Sequence, residues 1–270
     1  MIICIPSYGR HTTIRQKTLA TLERGGITRD QVYIFVVNEE RRDYELACPG
    51  YRIIVGKKGL INQRKFIRSI FLKGEFLVMM DDDVEDIYEP GSDGKSKISV
   101  SNLKMLFGRM CFQMIAQNIP ICGVYPVDNP KFARGNSEIS TDFRYIVGAL
   151  YIIRNDIDID LEPNVADSVE DKQRSIMYYM KYNGVLRFNW VCIKTKYFAP
   201  GGIQSISPDR KEKHAEYCKM LVDIYPDFLR LKTKRSGLVD CGFKKIKPAD
   251  HELPEGFIWQ LHAPQIHVSI

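Results

Sequence analysis

The sequence predicts an α/β fold, a mostly parallel sheet flanked by helices, and three observations carry that expectation. Short runs that are apolar along their whole length recur through the first 80 residues, amphipathic helical stretches fall between them, and Gly or Pro punctuates the changes. A strand can be apolar on both faces only where helices cover both, which is the parallel-sheet arrangement.

In chain order, Ile2 to Ile5 is an apolar strand broken by Pro6-Ser7-Tyr8-Gly9-Arg10, and residues 12–24 read as a helix stopped by Gly25-Gly26. Residues 32–37 and 52–55 are further strands. Residues 60–72 form a helix whose Phe66, Ile67, Ile70 and Phe71 share one face. Phe76 to Met80 is the fourth strand. The composition of Glu89-Pro90-Gly91-Ser92-Asp93-Gly94-Lys95 predicts a mobile loop. A helix over 101–117 follows, then an irregular stretch, then a strand over 145–154 with Gly148 inside it. Ser168-Val169-Glu170-Asp171 resembles a capping box opening a helix to Asn183, with Gly184 at its C′ position. A strand over 186–195, a helix over 209–224 and an irregular, basic C-terminal part complete the chain.

A length of 270 residues with 44% hydrophobic and 27% charged residues fits one domain and excludes disordered, collagen-like and disulfide-scaffold classes. No apolar run reaches the roughly 18 residues that span a bilayer, and no signal peptide is legible, so no membrane association is expected. Seven scattered cysteines without a C-x-x-C pair argue against a zinc ribbon or disulfide framework and for a reducing, cytoplasmic setting, the host's if the protein is viral. The net charge of +6 is uneven. From Lys194 to Lys247 there are 13 basic and 6 acidic residues, a net +7, while Asp81 to Asp93 is densely acidic. Basic faces suit phosphates and acidic pockets suit metals, although most such charge is simply solvated.

In parallel sheets ligands bind beyond the carboxyl ends of the strands, which gives priority to residues 6–10, 38–41, 56–59 and 81–83. The strongest signal is the apolar strand discharging into Asp81-Asp82-Asp83. In extended backbone Asp81 and Asp83 would point the same way and share one hard cation, Mg2+ or Mn2+. The second signal is Lys58-Gly59-Leu60-Ile61-Asn62-Gln63-Arg64, where a glycine turn, a helix N-terminus and an arginine suit an anion. The third is the pair Glu170 and Asp171 at a helix start. One suits a dipole-stabilising role and the other a general base, because a helix N-terminus favours the ionised form. His262 and His267 lie near Ile258-Trp259, and an imidazole would complete a manganese shell begun by Asp83.

The order of these motifs (Ile-Pro-Ser-Tyr-Gly-Arg at the N-terminus, Val37-Asn38-Glu39, Gly59-Leu60 to Arg64, the strand into Asp81-Asp82-Asp83, then Glu170-Asp171) resembles the GT-A, Rossmann-like nucleotide-sugar glycosyltransferases over roughly residues 2–200. Within that fold the sequence is most similar to the TET/J-binding-protein-associated glycosyltransferases of phages and eukaryotes, which glycosylate hydroxymethylated pyrimidines in DNA. The resemblance implies that Pro6, Ser7, Arg10 and Asn38 contact the nucleoside and that Arg64 contacts the nucleoside or diphosphate. Gly59 would join them at the donor. Asp81 would hold the ribose or metal, Asp83 the metal, and His262 or His267 a further ligand position, His262 being preferred. Asp171 would be the base of an inverting displacement with Glu170 beside it, and Gly201 and Gly202 would line the donor or acceptor pocket. It further implies a nucleotide-sugar donor, a UDP-sugar foremost, and Mn2+ or Mg2+. The expected organisation is one domain over 1–270: a nucleotide-sugar-binding half to residue 90, an acceptor and catalytic half over 100–200, and a basic extension over 201–270. The basic extension points to DNA as acceptor. The rival readings are a glycosyltransferase of sugars or proteins, a nucleotidyltransferase releasing pyrophosphate, and an inert nucleic-acid-binding protein of the same fold. Oligomeric state is not legible.

Overall fold

Strand β1 (Ile2–Pro6) is buried almost throughout and lies at the centre of the first half of a ten-stranded sheet. It pairs in parallel with β2 (Val32–Val36) on one side and β4 (Phe76–Met80) on the other, and β3 (Arg52–Val55) extends the edge in parallel beside β2. This computed structural model describes residues 1–133, 139–156, 158, 161–195 and 209–246.

Beyond β4 the sheet continues through β9 (Leu150–Arg154), β7 (Ile121–Tyr125), β10 (Leu186–Lys194), β5 (Asp86–Pro90) and β6 (Lys97–Ser99), with β8 (Ile139–Ser140) also against β10. The registers set β5, β8 and β9 against the direction of the other seven strands, so the sheet is mostly parallel in direction, as expected. Helices α3 (Arg41–Ala47), α4 (Leu60–Ile70), α5 (Leu103–Ala116), the short α6 (Pro130–Ala133) and α7 (Glu170–Tyr182) fall between these strands. Their apolar residues join the strands in one core that includes Ile5, Phe35, Ile67, Met79, Phe107 and Ile152.

Several local expectations are corrected. The first helix is three segments, α1 (His11–Ile14), a π-helical turn (Arg15–Leu19) and α2 (Ala20–Arg24). The segment expected to be mobile is the turn of the β5–β6 hairpin, closed by the Gly91 N–H to the Ser96 carbonyl and by Asp93, whose carboxylate accepts from Lys95, Ser96 and the Ser96 hydroxyl. The stretch read as irregular holds β7, and β9 begins only at Leu150 because residues 145–149 bend toward α7. Helix α7 has no side-chain cap at its start: Val169 is the N-cap, and Ser168 makes no reciprocal contact, so the capping-box reading fails. Its left-handed C-terminal residue is Asn183, φ 51°, rather than Gly184. Past the helix α8 (Arg210–Ile224), residues expected to be irregular form an antiparallel hairpin, β11 (Leu229–Thr233) and β12 (Val239–Phe243). Basic residues of β11 and the hairpin turn, Arg230, Lys232, Lys234 and Arg235, are exposed.

Among the described residues no helix is long and apolar enough to cross a membrane. All seven cysteines are unpaired, and six of them are buried.

Candidate active site

The parallel register of β1, β2 and β4 brings Ser7, Asn38 and Asp81 to one edge of the sheet, because each follows the carboxyl end of its strand. Antiparallel β9 begins at the same edge, and the Asp81 N–H donates to the Ala149 carbonyl at 3.0 Å. The end of β10 arrives there too, with the Glu85 N–H on the Lys194 carbonyl.

Asp81, Asp82 and Asp83 lie in the turn after β4, not in extended backbone, so alternation along a strand does not set their directions. The π-helical turn does part of that work. Thr18, within it, donates its hydroxyl to the Asp81 carbonyl (2.8 Å) and accepts from the Val84 N–H (3.0 Å), clamping the turn from both ends. π-turns inside helices are frequent at functional sites. Asp82 is buried; its carboxylate accepts from the Ser7 hydroxyl at 2.5 Å and from Arg10 Nη1 at 2.7 Å. The same guanidinium reaches Asp83 Oδ2 at 3.0 Å, and the Thr195 hydroxyl donates to Asp83 Oδ1 at 2.7 Å. Tyr44 supports this corner: its hydroxyl is 2.6 Å from Ser7 Oγ and accepts the Arg10 N–H. Gly9, at φ 65°, gives its N–H to Glu40 in the tight turn between β1 and α1.

Asp81 is the most exposed of the three, with 36% of its side chain accessible at the rim. Desolvation and the neighbouring Asp83 and Asp82 push its carboxyl up to about 7, against the pull of Arg64. Hard oxygen donors crowded against their own charge fit a divalent cation, which offsets that repulsion. Asp81 and Asp83 would be the ligands; His262 lies outside the described residues, as do His267, Gly201 and Gly202.

Arg64 is buried. It pairs with Glu170, donates to Asp81 Oδ1 at 3.0 Å and to the Gly148 carbonyl at 2.9 Å, and lies over the Tyr151 ring. Glu170 is likewise buried and pairs on its other oxygen with Arg174, one turn further along α7, whose guanidinium stacks 3.8 Å from the centroid of the same Tyr151 ring. The acidic pair therefore divides. Glu170 joins α4 to α7, whereas Asp171 is half-buried and accepts from the Tyr145 hydroxyl, from the Gly148 N–H at 3.2 Å and from the Lys172 N–H at 2.8 Å. Gly148 is the joint between the two groups. A Cβ there would stand 3.1 Å from the Glu170 carboxylate, 3.3 Å from Arg64 Nη1 and 3.4 Å from Asp171 Cβ.

Removing one member of a buried ion network leaves the others uncompensated. Glu170→Gln is therefore expected to lower unfolding stability by about 3–5 kcal/mol, read from denaturant midpoints, and an unchanged midpoint would contradict this bridging role.

The helix start at Gly59 differs from expectation. The Leu60 and Ile61 N–H groups both donate to Asp167, at 3.0 and 2.9 Å, so the chain's own carboxylate caps the helix where an anion was anticipated. Gly59, at φ 89°, permits this turn. Tyr44, Tyr145, Thr18, Thr195 and Asp167 carry no local sequence signal, since each acts on a residue at least 26 positions away.

The TET-associated glycosyltransferase family matches residues 1–196. No curated protein matches the chain. Among solved structures, GalNAc-T7 with UDP, GalNAc and Mn2+ aligns at a TM-score of 0.51 and 12% identity, over 83% of this chain and 49% of that one, which supports the GT-A fold. The mannosyltransferase PcManGT from Pyrobaculum calidifontis, in complex with GDP-Man and Mn2+, aligns at a TM-score of 0.43 and 13% identity, over 82% of this chain and 64% of that one. S. aureus TarS with UDP aligns at 0.44 and 14%, over 82% and 66%. The chain thus spans less than two thirds of the length of each of these three structures.

Proposed function

Because the chain belongs to the TET-associated glycosyltransferase family, we propose that it moves a sugar from a nucleotide-sugar to a hydroxyl acceptor with inversion, the acceptor being a hydroxymethylated pyrimidine in DNA. The observation that carries this reading is the single sheet edge that gathers Asp81 and Asp83, the arginines that hold them, and Asp171.

In this reading Pro6, Ser7, Arg10 and Asn38 receive the nucleoside of a UDP-sugar, and Asp81 and Asp83 bind Mn2+ or Mg2+. A cation held there would offset the charge that develops on the departing diphosphate. Ser7 and Arg10 act on Asp82 and Asp83 as well as on the donor, so they set the turn before any ligand enters. Arg64, buried behind the edge, serves as a positioning residue that fixes Asp81 relative to Gly148 and α7 rather than as a direct diphosphate contact. The Tyr145 hydroxyl and the Gly148 N–H orient the Asp171 carboxylate. Its free electron pairs take the proton of the acceptor hydroxyl as the oxygen attacks the anomeric carbon from the face opposite the diphosphate.

The acceptor reading rests on the basic C-terminal third, where Lys232, Lys234, Arg235, Lys244 and Lys245 are exposed. Phosphate contacts by such residues release counterions, so binding to duplex DNA should fall steeply with salt and should weaken on charge reversal of Lys232 and Arg235 irrespective of sequence. The test compares transfer to duplex DNA with hydroxymethylated pyrimidine, to unmodified duplex and to small sugar or protein acceptors across a salt series. Transfer to the modified duplex, lost at high salt, is expected. Transfer confined to the other acceptors and indifferent to charge reversal would remove DNA as the partner.

A further inference from the structure

We propose that His214, Cys218 and Asp240 form a zinc site that ties the C-terminal hairpin to helix α8, separate from the Asp81 and Asp83 edge. It lies beyond the residues that the family match covers.

His214 and Cys218 are one helical turn apart on α8, so they present imidazole and thiol on the same face. Asp240 on β12 completes the group. His214 Nε2 lies 3.4 Å from Asp240 Oδ1 and 3.5 Å from Cys218 Sγ, and Cys218 Sγ is 3.8 Å from that same oxygen. A tetrahedral zinc ion, with bonds of about 2.3 Å to sulfur and about 2.0–2.2 Å to nitrogen and oxygen, holds its ligand atoms about 3.3–3.7 Å apart. The three atoms therefore already outline one face of such a tetrahedron. Among the described residues this is the one group of three metal-ligating side chains whose ligand atoms come within 4.8 Å of one another.

A water would take the fourth corner, since three protein ligands leave one position of the tetrahedron open. All three side chains are buried: His214 is 8% exposed, Asp240 6% and Cys218 fully enclosed.

One thiolate and one carboxylate balance the charge of Zn2+, and Lys172 and Lys234 both reach the Asp240 carboxylate, Lys234 at 3.0 Å. Lys172 pairs with Asp240 Oδ1, so metal entry requires its ammonium to shift to the other oxygen, where it would act as an outer-shell partner. The absence of a C-x-x-C pair excludes a ribbon, not this arrangement, whose ligands come from one helix face and a strand 22 residues beyond it.

The site also bears on the acceptor side of the molecule. Phe243, at the end of β12, packs 5.4 Å from the ring of Tyr145, whose hydroxyl holds Asp171, and Lys172 is the next residue. Fixing the hairpin fixes that contact.

The experiment uses the full chain purified without added metal. Elemental mass spectrometry is expected to find zinc at about one per chain. Exchange for cobalt should give thiolate-to-metal charge-transfer absorption, and both signals should be lost in Cys218→Ser. Since that variant could unfold, the wild-type protein is also stripped with a chelator and reloaded with Zn2+ alone, which should lower and then restore Tm. A folded wild-type protein that binds no zinc and gives no cobalt–thiolate band would overturn the proposal, as would zinc retained in full by a folded Cys218→Ser variant.

Discussion

Asp171→Asn should leave the protein folded and able to bind its donor while lowering sugar transfer by roughly a hundredfold to ten-thousandfold, the range a positioned general base supplies. The substitution keeps the size of the side chain. The amide oxygen can still accept from the Gly148 N–H and the Tyr145 hydroxyl, so the geometry at the start of α7 survives and proton acceptance is what disappears. The measurement is single-turnover transfer with saturating donor, beside equilibrium binding of the nucleotide. A variant that keeps near-normal transfer would remove Asp171 from the chemistry. Greater loss in Glu170→Gln, in protein shown to be folded, would move the base to Glu170 despite its enclosure between Arg64 and Arg174.

A second large effect is expected at Asp83. On the proposed reading Asp83→Ala should abolish the part of nucleotide affinity that depends on Mn2+ or Mg2+, together with turnover, because Asp83 would be one of the cation's two carboxylate ligands at this edge. The fold should tolerate the change. Arg10 keeps its 2.7 Å contact with Asp82, and Thr18 still clamps the backbone of the turn. Isothermal titration of nucleoside diphosphate with and without Mn2+ separates the outcomes: affinity equal in both conditions for the wild-type protein would contradict a metal-assisted donor site.

The legible part of this protein is the part written in local pattern. Apolar strands at 2–6, 32–36 and 76–80 stand out because burial on both faces leaves no polar alternation, and their parallel pairing, with the strand at 52–55 added beside β2, determines which loops share an edge. Asp81 to Asp83 were conspicuous for the same reason, as charge set directly against a buried strand. The rest depended on distance. Strand β7 was hidden because Gly123 interrupts its apolar run, and its burial comes from β9 and β10, its neighbours in the sheet but not in sequence. Glu170 and Asp171 were visible as a pair, but their division follows from Arg64, 106 residues earlier, and from Tyr145. The Gly59 turn looked like an anion site because nothing local shows that Asp167 fills it from 107 residues away. The C-terminal hairpin lacked a clean alternation, since β11 is exposed from Arg230 onward and takes its order from β12.

The central claim is that this edge of the sheet performs metal-dependent transfer from a nucleotide-sugar. Its most direct measurement is the product released when the full chain is incubated with UDP-sugars and other nucleotide-sugars and hydroxymethylated duplex DNA, with Mn2+ supplied or omitted. The account predicts release of nucleoside diphosphate in step with sugar incorporation, only when the cation is supplied, and none in Asp83→Ala. Release of pyrophosphate, or diphosphate release that proceeds equally without the cation and in Asp83→Ala, would contradict it.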